Sequence, residues 1–266
     1  MININWEGLA RAARGFQEAS PFPHIVVDDF FDFETARRLA EEFPPFEAPV
    51  WHRYDNLLEI KRTCNSWLEF PPLTYQVFAF LNSRQFVANL ESYVGGRLES
   101  DPGLNGGGWH MHRAGDVLNA HLDYSLHPKM GLQRKLNLIV YLTPEWDAAW
   151  GGALGLWDHD PLTKQPSRLA RKIEPSFNRA ILFDTTRNSW HGIPDPITCP
   201  EWAYRRSLAV YYLTTPENDV DPRGKALFAP TESQRGDAGI LALIEKRAAT
   251  DTASAVYRRS QGGNGQ

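Results

Sequence analysis

His121-Leu122-Asp123 sets an imidazole and a carboxylate two positions apart. In an extended chain such side chains share a face, so both can reach one metal ion from a single strand end. His191 follows much later, in Ser189-Trp190-His191-Gly192, just past the apolar run Ala180-Ile181-Leu182-Phe183. A strand that delivers a histidine at its end, followed by glycine, suits a ligand on a rim. Two imidazoles and one carboxylate cover one face of an ion and leave three positions open, a ligand set suited to iron(II) and oxygen chemistry. Structural zinc would want a fourth ligand, usually sulfur. Cys64 and Cys199 lack zinc-site spacing and are too few for a disulfide framework.

Arg205-Arg206-Ser207 opens the longest strand candidate, Tyr204 to Thr214. Alternation puts Arg205, Ser207, Ala209 and Tyr211 on one face and Arg206, Leu208, Val210 and Tyr212 on the other. Iron(II) oxygen chemistry with an acidic cosubstrate needs a cation to receive the distal carboxylate. The planar fork of Arg205 matches that group, and Ser207 adds a hydroxyl. Asn119 lies on the expected face of His121 and is a further candidate for the bound acid. Tyr124, Trp190 and Arg134 flank the ligands and are candidates to line a substrate pocket, although ordinary packing would use them equally well. His110 and His112, beside Gly106-Gly107-Gly108, read as structural or surface residues, because no carboxylate or third histidine follows in register. His127 and His159 fall in loop-like stretches, and Asp116 and Asp158 read as turn formers.

The elements that must position these residues divide into two kinds. Asn5 can cap a first helix, with Trp6, Leu9, Ala13 and Phe16 at helical spacing. His24 to Phe30 reads as a short strand, and Asp32 caps a second helix that Pro44-Pro45 stops. Pro72 to Val94 is helical again, broken near Asn82-Ser83 and capped by Gly95-Gly96. After residue 105 the pattern becomes β: Lys135 to Thr143, Ala153 to Trp157, Arg179 to Thr185 and Tyr204 to Thr214, separated by turns such as Gly151-Gly152. Several short strands with regular turns imply a sandwich or barrel. One domain over 1–266 is expected, with helical support over about 1–100, a catalytic β-barrel over about 105–215 and a C-terminal helix over about 231–260.

Composition bounds the function classes. With 266 residues and 42% hydrophobic content, the chain can form a sizeable core. A formal net charge of -4 gives no general attraction to nucleic acid or an anionic membrane. Met1 to Ser20 has no basic region followed by an apolar run, so a signal peptide is not expected. No apolar stretch reaches membrane-spanning length. A cytoplasmic protein acting on a small molecule or peptide is the expectation.

The order His-x-Asp, apolar strand, Gly-Gly, distal His, Arg-x-Ser resembles the 2-oxoglutarate/Fe(II) dioxygenases, most of all the prolyl-4-hydroxylase-like branch. Leu118-Asn-Ala-His-Leu-Asp123, Trp150-Gly-Gly-Ala-Leu-Gly-Leu-Trp157, Asn178-Arg-Ala-Ile-Leu-Phe183, Trp190-His-Gly192 and Arg205-Arg-Ser-Leu-Ala-Val-Tyr-Tyr212 carry the resemblance, over about residues 105–215. Pro21 to Phe30 also looks like openings common in this group. The resemblance implies a mainly β protein with flanking helices, built on a double-stranded β-helix of the jelly-roll or cupin type. It implies Fe(II) on His121, Asp123 and His191, and 2-oxoglutarate on Arg205 and Ser207. O2 is the oxidant, and ascorbate is a possible helper. Its chemistry is hydroxylation of a prolyl or other amino-acid residue, or a small molecule, with release of succinate and CO2. The carboxylate of Asp123 favours hydroxylation, since related halogenases lack it. Animal collagen hydroxylases hold 2-oxoglutarate with lysine, and Arg205 departs from them. The alternative is a non-catalytic cupin-like module that binds carbohydrate or peptide.

Overall fold

The structure is a computed structural model, and it describes residues 2–221 and 223–249. The N-terminal part alternates helix and strand: α1 (Trp6–Ala13), β1 (His24–Val27), α2 (Phe33–Glu41), β2 (His52–Asp55), β3 (Ile60–Cys64), α3 (Pro72–Leu81) and α4 (Arg84–Val94). The expected caps act as such: Asn5 accepts from Gly8 N–H and Asp32 from Thr35 N–H. At the break between α3 and α4, Ser83 accepts from Phe86 N–H. Gly95 ends α4 at φ 80°, a left-handed conformation that glycine adopts without strain.

The remaining chain carries β4 (Glu99–Ser100), β5 (Gly108–His112), β6 (His121–Leu122), β7 (Gln133–Tyr141), β8 (Leu154–Asp160), β9 (Gln165–Ile173), β10 (Ala180–Asp184), β11 (His191–Gly192), β12 (Arg205–Thr214), β13 (Leu227–Phe228) and α5 (Ala238–Ala248). They form two antiparallel sheets. The larger runs β1-β10-β7-β12-β5-β3-β2, with β4 also on β12, and the smaller runs β13-β6-β11-β8-β9. This is a double-stranded β-helix with helices on one side.

Alternation along β7 and β12 separates packing from chemistry. Leu136, Leu138 and Val140, with Leu208, Val210 and Tyr212, belong to the core that includes Leu9, Leu39, Val77, Phe86 and Leu90 of the helices. The opposite face looks toward the smaller sheet. There Tyr141, Ile181 and Phe183 pack on Leu154 and Leu156, closing one end of the barrel. Arg206 falls on the helix side, where its guanidinium donates to the Ala40 carbonyl.

Three parts differ from the sequence reading. The N-terminal region is not only helical support: β2 and β3 extend the larger sheet. The stretch around His110, where the sequence reading placed no strand, is the inner strand β5, paired with both β12 and β3. Its burial on both faces erases the alternation that marks a strand. The C-terminal helix begins later, with a 3-10 turn at Glu232–Gln234 and then α5, and the expected continuation past residue 249 lies outside the described residues. Among the described residues no helix is long and apolar enough to cross a membrane.

Gly108 begins β5 at φ +89°, and a Cβ there would overlap the Cys64 carbonyl oxygen on β3. Gly108→Ala should therefore push β5 off β3, destabilising the fold by about 2–4 kcal/mol in urea unfolding. An unchanged midpoint would show that the contact is dispensable.

Candidate active site

β6 and β11 pair antiparallel with His121 directly opposite His191. The ring centroids lie 4.3 Å apart. Asp123 follows just beyond β6, with its carboxylate oxygens 3.7 Å from His121 Nε2 and 3.8 Å from His191 Nε2. One ligand atom from each residue lies within 4.8 Å of the others. His121 Nδ1 sits 3.0 Å from the Asn119 carbonyl, and His191 Nδ1 2.8 Å from the Ser189 carbonyl. A carbonyl accepts only, so each Nδ1 carries the proton and each Nε2 turns a lone pair inward. Phe228 stacks on the His121 ring at 5.1 Å, and Phe183 meets His191 edge-on at 4.8 Å.

These three residues fit a divalent metal. Asp123 Oδ2 is buried without a hydrogen-bond partner, a costly state that a cation would relieve. Burial alone would raise the Asp123 carboxyl, but His191, Arg134 and His121 beside it hold it at about 2. Burial, with His191 adjacent, lowers His121 to about 3. Near neutral pH both are therefore deprotonated and able to ligate. The donor set is two nitrogens and one oxygen, and both cysteines lie buried outside it.

Arg134 braces this centre. Its guanidinium carbon lies 3.3 Å from the Tyr124 ring centroid and 3.4 Å from that of Tyr211, a sandwich closed on both faces. Nη1 is 3.5 Å from Asp123 Oδ1, and Nη2 donates to the Asn105 carbonyl. Asn105 also donates to the Tyr124 hydroxyl at 2.6 Å.

The triad opens into a cavity of about 430 Å³ whose wall includes Arg205, Ser207, His110 and His112. Arg205 is buried. Its Nε donates to the Gly152 carbonyl at 2.6 Å and its Nη2 reaches the Tyr141 hydroxyl at 3.4 Å. No carboxylate pairs with it among the described residues, and burial lowers its pKa. Such a cation invites an acidic ligand. Gly152, at φ +75°, lets its backbone pass against this side chain, where a Cβ would crowd Arg205 Cδ at 3.1 Å. Strand pairing places His112 beside Arg205 and His110 beside Ser207.

Residues 108–219 match the profile of the 2OG-Fe(II) oxygenase superfamily. This region belongs to that superfamily. The chain is 30% identical to mouse prolyl 3-hydroxylase OGFOD1 over 93 residues, 34% of this chain and 16% of the mouse protein. It is 22% identical to the Xenopus laevis protein of the same name over 210 residues, 73% of this chain. The chain thus spans about a third of the frog relative's length, 36%. A Pseudomonas putida prolyl-4-hydroxylase shares the fold with a TM-score of 0.57 and 15% identity, covering 78% of this chain and 100% of that one.

In the structure the sequence-derived candidates separate into two groups. His121, Asp123, His191, Arg205, Ser207, Tyr124 and Arg134 all line one cavity. Asn119 does not. Its amide donates to the Ala229 carbonyl at 3.1 Å and to Gln234 Oε1 at 2.7 Å. The strand begins only at His121, so two-residue alternation does not extend back to Asn119. Trp190 is likewise a correction. It adjoins His191 and points the other way, buried with Leu122 and Ala229, its Nε1 donating to His159 at 3.1 Å. His110 and His112 correct the reading in the opposite sense, since both are buried in the cavity wall. The i, i+2 spacing of His110 and His112, matching Arg205 and Ser207 across the pair, was the available signal. Glu59, Lys61 and Arg247 also reach the cavity, and nothing local in their sequence indicates it.

Burial holds His110 at about 3 against an ordinary 6.5, and His112 well below its ordinary value. In the unfolded chain each takes its proton near the ordinary value. The neutral rings therefore contribute stability that is complete above about pH 6.5 and is lost as pH falls toward about 3. Stability of the metal-free protein in urea unfolding should weaken from about pH 7 to about pH 5, by on the order of 1 kcal/mol per histidine per pH unit. His110→Gln should flatten that slope; an identical slope in the variant would exclude His110 as a source.

Proposed function

We propose that the chain is an iron(II)- and 2-oxoglutarate-dependent dioxygenase that hydroxylates a prolyl residue in a peptide. One observation carries this reading: the His121–Asp123–His191 cluster and the buried Arg205, without a carboxylate partner among the described residues, share one cavity. The prolyl substrate is suggested by the names of the curated relatives.

His121 and His191 hold Fe(II) through Nε2, and Asp123 through its carboxylate. Bound iron and 2-oxoglutarate supply O2 activation coupled to release of succinate and CO2, with ascorbate as the reductant that keeps the iron ferrous. The chain's own part is binding, orientation and exclusion of water. Arg205 receives the distal carboxylate of 2-oxoglutarate. Because its Nε is tied to Gly152, the plane of the guanidinium is set before the ligand arrives. Ser207 offers its hydroxyl from the next inward position on β12, paired with Tyr141. Ile139 and Leu154 form apolar wall in the same cavity, which strengthens the ion pair by keeping water away. Arg134 holds the Asp123 carboxylate in place while the tyrosine rings on either side shield it.

Asp123→Ala should abolish Fe(II)-dependent succinate formation from 2-oxoglutarate and proline-containing peptides. Normal turnover in that variant would overturn the ligand assignment. Arg205→Ala should weaken 2-oxoglutarate binding to the anaerobic Fe(II) protein by about 3–5 kcal/mol, the cost of breaking a buried pair. The weak metal-to-ligand absorption band follows that titration, and Arg206→Ala should leave it near wild type.

A further inference from the structure

Two of the three residues proposed to hold the metal, His121 and Asp123, are supported from outside residues 108–219, the stretch that carries the superfamily match. Strand β6 has only two residues, and β11 covers one edge of it with His191 opposite His121. β13 covers the other edge, pairing Leu227 with Leu122 and Phe228 with His121. Directly opposite residues of an antiparallel pair share a face, so Phe228 follows His121 inward. Its ring stacks on the imidazole at 5.1 Å with an interplanar angle of 24°. Asp123 is held from the same segment. Arg223 Nε donates to its backbone carbonyl at 3.0 Å, and Ser125 N–H donates to the Arg223 carbonyl at 2.7 Å. His191, by contrast, meets the edge of Phe183, inside the matched stretch.

This segment is itself fastened at several points. Ala229 N–H donates to the Ala120 carbonyl. Gln234 accepts from the Asn119 amide at 2.7 Å and donates to the Leu57 carbonyl at 3.0 Å. Phe228 is buried in a small apolar cluster with Leu58 and Ile240, against which Leu243 and Ile244 pack. Asp237 caps α5 by accepting from Gly239 and Ile240 N–H. The Arg247 guanidinium carbon lies 5.0 Å from the Phe228 ring centroid, and the same side chain pairs with Glu59. The helix α5 thus bears on His121 through the ring of Phe228.

An imidazole binds a metal well when its lone pair is aimed before the ion arrives. The Asn119 carbonyl at Nδ1 fixes the tautomer of His121, but one hydrogen bond leaves the ring free to tilt about it. A flat ring packed against the imidazole face removes that freedom, so less orientational entropy is lost when the metal binds.

We propose that the segment from Arg223 to α5 is a clamp that retains the metal, with Phe228 as the positioning residue that aims His121 while Arg223 fixes the backbone of Asp123. The clamp rests on the metal-binding reading of His121, Asp123 and His191. Ile240 acts at one remove, by seating Phe228.

The test uses the full chain and Co(II) as the probe. A competing chelator reads affinity, and the visible absorption of the bound ion reads its coordination. Phe228→Ala should bind Co(II) about 10–100-fold more weakly than wild type, the usual cost of losing a partner behind a metal ligand, and should change the visible spectrum. Phe228→Leu, which keeps apolar bulk without the flat ring, should fall between the two, and Ile240→Ala should weaken binding in the same direction. Phe86→Leu removes a ring just as buried on the helix side of the larger sheet. It should leave Co(II) affinity within about twofold of wild type, since the sites share no partner. If Phe228→Ala does not fold, Phe228→Leu against Phe86→Leu decides the matter. Wild-type affinity in the folded Phe228 variants would overturn the clamp alone. So would an equal loss in Phe86→Leu and Phe228→Leu, which would mark a general effect of stability. Failure of the wild-type protein to bind Co(II) would overturn the metal reading and the clamp with it.

Discussion

The metal centre rests on one pairing, His121 opposite His191, between strands of only two residues each. Strands that short make few ladder bonds of their own, so their register must be held from outside. Flanking backbone supplies this: Asn119 N–H donates to the Leu58 carbonyl, Ile193 N–H to Leu118, Ala229 N–H to Ala120 and Trp157 N–H to Trp190. Asn119 adds a side-chain tie to the segment after β13. Gly192 allows the close approach, since a Cβ there would sit 2.7 Å from the Asn119 carbonyl oxygen. Residues that never touch the cavity thereby fix the separation of the two imidazoles.

The larger sheet solves a second conflict. A cavity lined by ionised side chains contributes little to stability and leaves polar atoms unsatisfied, among them both ring nitrogens of His112 and Nε of Arg134. The other face of the same strands compensates. There an apolar layer packs on α1 to α4 around residues such as Trp109, Phe78 and Phe86, all essentially buried. Strands β3, β5, β7 and β12 therefore each have a stabilising side and a chemical side. Arg205 and Arg206, adjacent in the chain, fall on opposite sides of that division.

The same architecture distributes the chemistry along the chain. His121, Asp123, His191 and Arg205, the residues proposed to hold the metal and the acidic cosubstrate, come from the stretch of 108–219. Much of the remaining wall comes from elsewhere: Tyr54, Glu59 and Lys61 from the β2–β3 hairpin region, and Phe228 and Arg247 from the C-terminal segment. Glu59 joins these two contributions through its pairs with Lys61 and Arg247. That part of the cavity wall is thus assembled by elements that add to the barrel.

Much was legible before any coordinates. Caps at Asn5 and Asp32, the break at Asn82-Ser83 and the glycine after α4 act through neighbouring residues, so α1 to α4 were readable from short windows. The triad and Arg205 were readable because a two-residue period assigns faces along a strand. That rule failed where no strand existed, at Asn119, and gave no warning for Trp190, whose neighbour His191 takes the cavity side. The strand β5 was hidden because both of its faces are buried. The polar edge strand β9 lacks an apolar stripe, since much of its surface faces solvent. By itself the chain's chemistry determined which residues could bind a metal and a carboxylate, since those capacities belong to side chains and their local spacing. Only the tertiary structure decided that His110, His112, Lys61 and Arg247 share the same cavity. Such contacts depend on sheet order and on segments far apart in the chain, and no local period encodes them.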